Sequence, residues 1–514
     1  MGERRRRAFE AIVTSEWDGF LKGVEKEGLR VDGNGFIAQT PHPEGLGSAL
    51  THPAITTDYS EALLELVTPV CRNTDELLRA LDAIHGYVHQ HLGDELLWPL
   101  SMPCRLDGDA SIPIAHYGTS NIGQLKTVYR RGLAERYGRV MQSIAGTHYN
   151  FSLPDSFWRR WQHQLGDRGP LTEFRTQQYF WLIRNFRRRS WLLMYLFGAS
   201  PVLDRSFVAG RRHRLAALGE ETLYSSSATS LRMSDLGYNN QAQSSLDICF
   251  NRLETFTQTL DHAIHTPWPP YRDIGLFRNG ERIQISDSVL QIENEYYSAI
   301  RPKRTTQSGE KALHALQRRG VEYVEVRCLD LDPFSAHGVS REQINFMDLF
   351  LLDCLLADSP LIDDAECSGL DNTFEDVVTQ GRATGCQLSI DGLSKGLREE
   401  GMRLLERLEL LAEMLPAPAD YREALMRQKA RLDDPASTPS GRLQGLLEAQ
   451  PLSFVEWGLE QAGAQHSAYR SCPLTPEWQQ ELEQAARDSR DAQAELEASE
   501  TEAFEDFLTR YLDD

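Results

Sequence analysis

The chain of 514 residues is long enough for one large domain with an appendage, or for two or three ordinary domains. Its composition, 41% hydrophobic and 25% charged, is typical of a soluble globular protein. The net charge of −21 argues against nucleic acid or an anionic membrane as the main partner, because like charges repel. No apolar run approaches the roughly 18 residues that a membrane span requires, so we expect no membrane partner.

The eight cysteines are scattered along the chain without a C-x-x-C pair. This spacing indicates neither a disulfide framework nor a zinc ribbon. Reduced thiols in the cytoplasm are the simplest interpretation, so we expect a cytoplasmic location.

Residues 23–31 predict a β-strand that carries two acids on one face. Side chains alternate across a strand, so Glu25 and Glu27 project from the same side. Two neighbouring carboxylates repel each other unless both stay in water or a divalent cation lies between them. An exposed, charged edge strand is the alternative interpretation. The recurrence of similar patterns downstream favours the cation.

A second acidic position interrupts the apolar run at residues 61–68, which we also expect to be a strand. Glu65 lies among leucines and a valine, where an unpaired carboxylate is costly to bury. It should therefore face a cation, a basic partner or a cleft. Asp58, just upstream, is the second acidic candidate of this region.

Residues 145–153 alternate cleanly and predict a third strand. His148, Asn150 and Ser152 share one face, while the other face is mostly apolar. One face therefore packs and the other offers a set of ligands.

Residues 288–297 alternate as well, with Gln291, Glu293, Glu295 and Tyr297 on one face of a further predicted strand. The strand would lead into a basic group that suits a polyphosphate, formed by Arg301, Lys303 and Arg304. A surface loop is an equally good interpretation of that group.

The clearest predicted strand covers residues 321–329. One of its faces is apolar, so Glu325 and Arg327 share the other. The two could simply form an ion pair. An acid for a metal beside a guanidinium for phosphate is also what phosphoryl transfer requires.

Helical patterns carry fewer candidates. His85 and His89 lie four residues apart in the predicted helix 74–92, but no third ligand is near, which favours packing over a metal site. The arginines of the predicted long helix 175–197 are expected mostly on a solvated face. Residues 224–251 are rich in Ser, Asn and Gly and are interpreted as a functional loop that could cover a site.

Beyond about residue 400 the pattern is helical, with Thr475 and Pro476 as the start of a long acidic helix to the C-terminus. We expect a catalytic domain over residues 1–400 and a helical C-terminal extension packed on it over residues 401–514. The predicted fold class is α+β: a largely antiparallel sheet, backed by helices on one face, lines an acidic, Mg²⁺-binding cleft with the other. Spacing alone indicates metal-dependent chemistry on a phosphate compound.

Several motifs in this order resemble those of the proteobacterial glutamate–cysteine ligases, or γ-glutamylcysteine synthetases. The matching stretches run colinearly over about residues 20–335, and the C-terminal third matches only loosely. They are 23–31, 46–65, Trp98-Pro-Leu-Ser-Met-Pro103, Tyr117-Gly-Thr-Ser-Asn121, 146–152, Leu196-Phe-Gly-Ala-Ser-Pro201, 229–238, 291–295, 300–304 and 322–327.

The resemblance implies a glutamine-synthetase-like catalytic sheet and a set of site residues. Arg232 and Arg327 would steady the transferred phosphoryl group, and Gln142 and Asn150 would orient glutamate. Two or three Mg²⁺, for which Mn²⁺ could substitute, would be held around the ATP phosphates by Glu25, Glu27, Asp58, Glu65, His148 and Glu325. The cysteine pocket would be lined by Tyr59, Tyr129, Tyr238 and Tyr297. Tyr59 stands where the family often has Phe, and its added hydroxyl could alter acceptor preference.

The implied activity is the ATP-dependent ligation of the γ-carboxylate of L-glutamate to the amine of L-cysteine through a γ-glutamyl phosphate. The products would be γ-glutamylcysteine, ADP and phosphate, in the first step of glutathione biosynthesis. The resemblance also suggests feedback inhibition by glutathione, and we expect a monomer. Two alternatives stay open: a ligase of the same fold with another acceptor amine, and a non-catalytic, metal-binding relative.

Overall fold

The computed structural model describes residues 2–237, 242–243, 246, 248, 250–307 and 309–513. Strands alternate with helices in the first two thirds of the chain, and the last third is mostly helical. In chain order the strands are β1 Leu21–Val31, β2 Ile55–Thr57, β3 Leu63–Val67, β4 Leu96–Leu97, β5 Thr147–Ser152, β6 Val202–Asp204, β7 Ala216–Leu218, β8 Thr222–Tyr224, β9 Phe277–Arg278, β10 Glu281–Arg282, β11 Ile300–Lys303, β12 Tyr323–Leu329, β13 Gln387–Ile390 and β14 Leu393–Gly396.

The helices surround the strands and continue to the C-terminal end. They are α1 Glu3–Ser15, α2 Thr74–His91, α3 Asn121–Tyr137, α4 Asp155–Gln164, α5 Leu171–Phe197, α6 Leu253–His265, α7 Pro269–Ile274, α8 Ala312–Arg319, α9 Arg341–Leu356, α10 Asp364–Gln380, α11 Leu397–Ala412, α12 Pro418–Asp433, α13 Pro439–Ala449, α14 Phe454–Ser471, α15 Pro476–Ser499 and α16 Phe504–Asp513. No helix within the described ranges combines the length and the apolar composition that crossing a bilayer requires.

One antiparallel sheet of seven strands organises the molecule. Its order is β11-β12-β5-β1-β3-β2, and β4 pairs with the end of β1. The long strand β1 is therefore central, with β5 on one side and β3 on the other. Three small antiparallel units lie outside this sheet: β6-β8-β7, β9-β10 and β13-β14. The predicted α+β class and the largely antiparallel sheet are confirmed.

Helices cover one face of the large sheet. Apolar side chains at alternate positions, including Val24, Tyr149, Val324 and Val326, are buried on that face among α2, α5 and α9. The period of two in the sequence produces this arrangement, because burying every second side chain is the main driving force for a sheet of this kind. The opposite face is left for polar residues.

The strands predicted around residues 23–31, 61–68, 145–153 and 321–329 are confirmed as β1, β3, β5 and β12. The strand predicted over 288–297 is wrong, because this segment is irregular and contains a short 3₁₀ turn at Glu293–Glu295. Side chains bend the chain there: the Gln291 N–H donates to Glu295 Oε2 at 2.6 Å, so the backbone bonds to a carboxylate instead of to a neighbouring strand. The next residues, Ile300–Lys303, form the edge strand β11.

Two helical expectations also change. The arginines of α5 are paired rather than solvated, and the side chains of Arg187, Arg188 and Arg189 are 12–17% exposed beside carboxylates of α9 and α10. The long C-terminal helix does begin after Thr475, whose side chain accepts from the Trp478 N–H, but α15 ends at Ser499 and α16 follows as a separate helix. The proposed boundary at residues 400 and 401 lies inside α11, and the division into two domains stays a prediction.

Candidate active site

The uncovered face of the sheet collects acidic side chains from β1, β3 and β12, with β5 between β12 and β1. Strand pairing sets Glu25 opposite His148, Glu27 opposite Glu65 and Glu325 opposite Asn150. Residues that face each other across antiparallel strands project from the same side of the sheet. The register alone therefore brings together most of the predicted metal ligands, although they come from distant parts of the chain.

His148 lies at the centre of this group, and its side chain is only 5% exposed. Its Nδ1 atom is 3.2 Å from Glu25 Oε2 and 3.7 Å from Glu325 Oε1, and its Nε2 atom is 3.5 Å from Glu27 Oε1. Three ligand atoms, one from each of Glu25, Glu65 and His148, lie within 4.8 Å of one another. This spacing matches a cation bound between several side chains.

The carboxylates influence one another's protonation. Burial raises the pKa of Glu65 well above its ordinary value, and the neighbouring Glu25, Asp58 and Glu27 carboxylates raise it further. Burial likewise raises the pKa of Glu27. Ionising all the carboxylates on this face at once is therefore unfavourable in free energy unless a positive charge is added.

Two of the acids stay ionised because cations lie close to them. Burial alone would raise the pKa of Glu325, but Lys303, Arg327 and His148 hold it well below its ordinary value. Arg327 Nη1 is 3.1 Å from Glu325 Oε2, and Lys303 Nζ is 3.6 Å from Glu325 Oε1. The pKa of Glu25 is also low: burial and Glu325 raise it, and the hydrogen bond with His148 and the charge of Lys303 outweigh them.

The side chains gathered around His148 fit a divalent cation. Glu325 is fully buried, and although Arg327 and Lys303 approach it as ion-pair partners, neither of its carboxylate oxygens accepts a hydrogen bond of good geometry from the described residues. Buried carboxylate oxygens usually accept hydrogen bonds, so these two are available to a ligand. Carboxylates with one imidazole form an oxygen-rich set, which suits Mg²⁺ or Mn²⁺ better than soft metals.

The two predicted catalytic arginines are neighbours. Arg327 lines the cleft and shares the cleft face of β12 with Glu325. Arg232 is fully buried behind it, where its Nη2 donates to the main-chain oxygen of Arg327 at 3.0 Å and its Nη1 is 3.7 Å from Asp330 Oδ1. Asp330 is itself held by Ser200 Oγ at 2.7 Å. Arg232 thus supports the strand that carries Arg327.

A cavity of about 550 Å³ opens beside the acids. Its walls come from α3, α5, α10 and the segment before β11. Predicted site residues that line it are Glu27, Asp58, Tyr59, Tyr129, Gln142, Tyr297 and Arg327. Asn150 lies on the sheet next to it and donates to Glu25 Oε1 at 2.9 Å. The remaining predicted tyrosine, Tyr238, lies outside the described residues, as does part of the predicted loop 224–251.

The predicted phosphate-binding residues line a second cavity of about 300 Å³ next to β11 and β12. Of the three, Lys303 comes nearest to the acids, through its 3.6 Å contact with Glu325. The Arg301 guanidinium instead donates to main-chain oxygens of Asn294 and Tyr296. Arg304 lies 3.6 Å from Glu322 Oε2.

His85 and His89 belong to a packing cluster, as the sequence favoured. Both are buried, and the ring of Tyr469 stacks on each of them at 5.5 and 5.0 Å between centroids. Burial lowers the pKa of His89 to about 3, so this imidazole is neutral.

Some contacts in the cavity wall were not predicted from the sequence. Arg187 of α5 and Asp371 of α10 form a 2.8 Å ion pair in the cavity wall. Glu295 is fixed by Arg136 Nη1 at 3.2 Å and by the Tyr137 hydroxyl at 2.5 Å. These contacts join segments far apart in the chain, and nothing in their local pattern predicts them.

Comparisons with known proteins agree with this geometry. The family profile described as glutamate-cysteine ligase matches residues 10–377. A glutamate–cysteine ligase of Hahella chejuensis is 56% identical over 499 residues, which cover 96% of this chain and 95% of that protein. A glutamate–cysteine ligase of Azotobacter vinelandii is 51% identical over 498 residues, with 96% and 94% covered.

A solved structure has the same fold over nearly the whole chain. The crystal structure of glutamate–cysteine ligase from Francisella tularensis in complex with AMP has a TM-score of 0.91 and 34% identity, and the match covers 96% of this chain and 98% of that one. The antiparallel sheet with its acidic, arginine-flanked face places the protein among the ATP-dependent ligases with a glutamine-synthetase-like sheet. The family match over more than half of the chain identifies the group within that class: the chain belongs to the glutamate–cysteine ligase family.

Proposed function

We propose that the acidic face and the adjoining cavity form the active site of this ligase. As a member of the glutamate–cysteine ligase family, the protein joins the γ-carboxylate of L-glutamate to the amine of L-cysteine at the expense of ATP. The observation that carries the proposal is the excess of carboxylates around His148, with Arg327 and Lys303 at its edge. A carboxylate is a poor electrophile, so its activation needs phosphoryl transfer, and this charge arrangement suits that step.

Six side chains would hold two or three Mg²⁺, or Mn²⁺ in its place: Glu25, Glu27, Asp58, Glu65, His148 and Glu325. The close approach of Glu25, Glu65 and His148 and the lack of hydrogen bonds to the Glu325 oxygens support this assignment. When bound, a divalent cation there would neutralise phosphate oxygens and so lower the cost of moving the phosphoryl group.

Basic residues would hold the phosphates in line for attack. Arg327 would contact the transferred phosphoryl group. Arg232 would keep Arg327 in place, because it bonds to the main chain of β12. Lys303 is the best placed of the phosphate-binding candidates, with Arg301 and Arg304 lining the same cavity.

In the first step an oxygen of the glutamate γ-carboxylate attacks the γ-phosphorus of ATP, and ADP leaves. Gln142 in the cavity wall and Asn150 on the sheet would orient glutamate for this attack. In the second step the amine nitrogen of cysteine attacks the acyl carbon of γ-glutamyl phosphate, and phosphate leaves with the electrons of the C–O bond. The cavity must exclude water meanwhile, or the acyl phosphate is hydrolysed.

The acceptor side of the cavity would be formed by Tyr59, Tyr129 and Tyr297, with Tyr238 as a further candidate. Among the described residues the Tyr59 hydroxyl is buried without a hydrogen-bond partner. A buried, unpaired hydroxyl is costly unless a ligand completes it. This observation supports the second candidate function, a ligase of the same fold that accepts another amine.

We also propose a monomeric, cytoplasmic enzyme that is inhibited by glutathione. Glutathione contains the γ-glutamylcysteine unit, so a cavity that forms γ-glutamylcysteine would also accept part of glutathione.

The test is phosphate release from ATP and Mg²⁺ with glutamate, with and without cysteine, with mass detection of the product. We expect cysteine-dependent turnover that yields γ-glutamylcysteine. Phosphate release that ignores cysteine would favour another acceptor, to be identified with a panel of amines. No phosphate release with any pair of amino acids would contradict the proposal.

A further inference from the structure

The acceptor side of the cavity is built from two separate pieces of chain. Helix α3 supplies Tyr129 and Tyr137, and the segment before β11 supplies Glu295 and Tyr297. Glu295 joins the pieces inside the cavity wall, because the Tyr137 hydroxyl donates to its Oε1 atom at 2.5 Å. The shape of this side therefore depends on how the two pieces are held against each other.

The last helix packs on the outer side of both pieces. Leu508 of α16 is buried with Leu125 and Val128 of α3 and with Ile285 of the other segment, in one apolar cluster. Tyr129 packs against the same cluster and also lines the cavity. One aromatic side chain thus packs against the cluster that Leu508 of α16 completes and also lines the acceptor cavity.

Polar contacts fix the same region at the start of α3. Glu497 Oε1 accepts from the Thr119 N–H at 2.8 Å, and Glu500 Oε2 accepts from the Asn121 N–H at 2.9 Å. Asn121 Nδ2 donates to the main-chain oxygen of Glu502 at 3.0 Å. The first N–H groups of a helix have no partner within it, so Glu500 satisfies the first N–H of α3, while Glu497 holds the residue just before the N-cap.

The second piece is fixed by an ion pair. Arg282 Nε is 2.9 Å from Glu505 Oε1 of α16, and the Arg282 Nη1 donates to the main-chain oxygen of Ile285 at 3.3 Å. The stretch from Glu497 to Leu508 therefore contacts both pieces, in addition to the bonds that the two pieces make directly with each other.

We propose that the stretch from Glu497 to Leu508 positions the acceptor side of the active site. Its contacts reach the apolar cluster beside Tyr129 and the start of α3, and it acts through them. Its loss should weaken the binding of the acceptor amino acid while ATP and glutamate bind almost as before. This inference depends on the proposed function, because it assumes that the cavity beside Tyr129 takes the acceptor.

The test uses Leu508→Asp in the full chain, with Thr509→Asp as the matched control. Leu508 is 1% exposed and Thr509 is exposed, so the same charge enters the apolar cluster in one variant and the solvent in the other. We expect the KM for cysteine to rise about tenfold in Leu508→Asp, with the KM for ATP and glutamate within about twofold of the parent enzyme. Thr509→Asp should match the parent enzyme in all three.

An equal rise in all three KM values, or a fall in kcat alone, would overturn the proposal, because a general loss of structure would produce it. An unchanged cysteine KM in Leu508→Asp would overturn it too. Leu508→Ala, which only removes apolar contact, keeps the test decisive if the aspartate variant does not fold, and should shift the cysteine KM in the same direction by about threefold. If the parent enzyme itself ignores cysteine, it is the proposed function that fails, and the variants are then compared on the amine that the enzyme accepts.

Discussion

Two groups of buried charges lie on opposite faces of the same central strand. On the helix-covered face, Lys22 forms an ion pair with Asp348 of α9, and the Tyr149 hydroxyl donates to the other carboxylate oxygen at 2.7 Å. One cation meets one anion in this pair. On the open face, carboxylates gather from β1, β3 and β12 around a single imidazole, and the cations at the edge do not balance them.

The difference distinguishes a structural charge from a functional one. A balanced, hydrogen-bonded pair satisfies its members within the fold, so removing one partner leaves an uncompensated buried charge. A group with excess negative charge is unfavourable by itself and becomes favourable when a cation arrives. The first group should therefore determine stability, and the second should determine activity.

The largest expected effect comes from neutralising one acid of the open face. Glu25→Gln should lower kcat by about 10²- to 10³-fold, because the site loses part of the charge that holds the cation. The free energy of unfolding should stay within about 1 kcal/mol of the parent value, since repulsion between carboxylates is relieved at the same time. Phosphate release and urea unfolding measure the two quantities. A large loss of stability with kcat unchanged would contradict the assignment of activity to the open face.

The reverse pattern is expected on the covered face. Asp348→Asn should lower the free energy of unfolding by about 3 to 5 kcal/mol, because Lys22 stays buried without its counter-charge. The KM values of the folded fraction should stay within about twofold of the parent values. Replacing Lys22 by Met in the same chain should recover part of the lost stability, and urea unfolding of the single and double variants measures the coupling.

The gain in thermal stability on binding metal should depend on the acids of the open face and not on the covered ion pair. In the parent enzyme, Mg²⁺ at saturating concentration should raise Tm by about 3 to 8 °C over the protein in EDTA, because it binds the folded site alone. Glu65→Gln should lose most of that shift, while Asp348→Asn should keep it despite a lower Tm. An equal shift in all three proteins would mean that the cation binds elsewhere. Thermal unfolding followed by circular dichroism provides the values.

The smallest effect is expected from the unpaired hydroxyl in the cavity wall. Tyr59→Phe should leave the free energy of unfolding unchanged or raise it by up to about 1 kcal/mol, because it removes a buried polar group without a partner. The ratio of kcat/KM for cysteine to that for other amines should change by about twofold to tenfold. A competition assay with mass detection reports that ratio. An identical ratio would show that the hydroxyl does not meet the acceptor.

Much of the sheet could be predicted because its signal is local. Alternation places Glu25 with Glu27 and His148 with Asn150, and a lone acid in an apolar run identifies Glu65. The strand register, which brings these pairs together, follows from long-range pairing, and no single stretch of sequence contains it. The family resemblance supplied that missing information.

The same alternation failed at residues 288–297 for a physical reason. Glu295 there accepts hydrogen bonds from a backbone N–H, an arginine and a tyrosine, so the polar positions hold a bend in place of lining a strand. Arg187 shows a similar limit. A row of arginines on a long helix is typical of a solvated face, and only the position of α10 turns Arg187 into part of the cavity wall.

The most direct test is to count the Mn²⁺ ions bound per chain by electron paramagnetic resonance, in the presence of a non-hydrolysable ATP analogue. The parent protein should bind Mn²⁺ tightly, Glu65→Gln should bind at least one ion fewer or much more weakly, and Asp348→Asn should bind as the parent does. Unchanged binding in Glu65→Gln would contradict the claim that the acids of the open face hold the cations of the reaction.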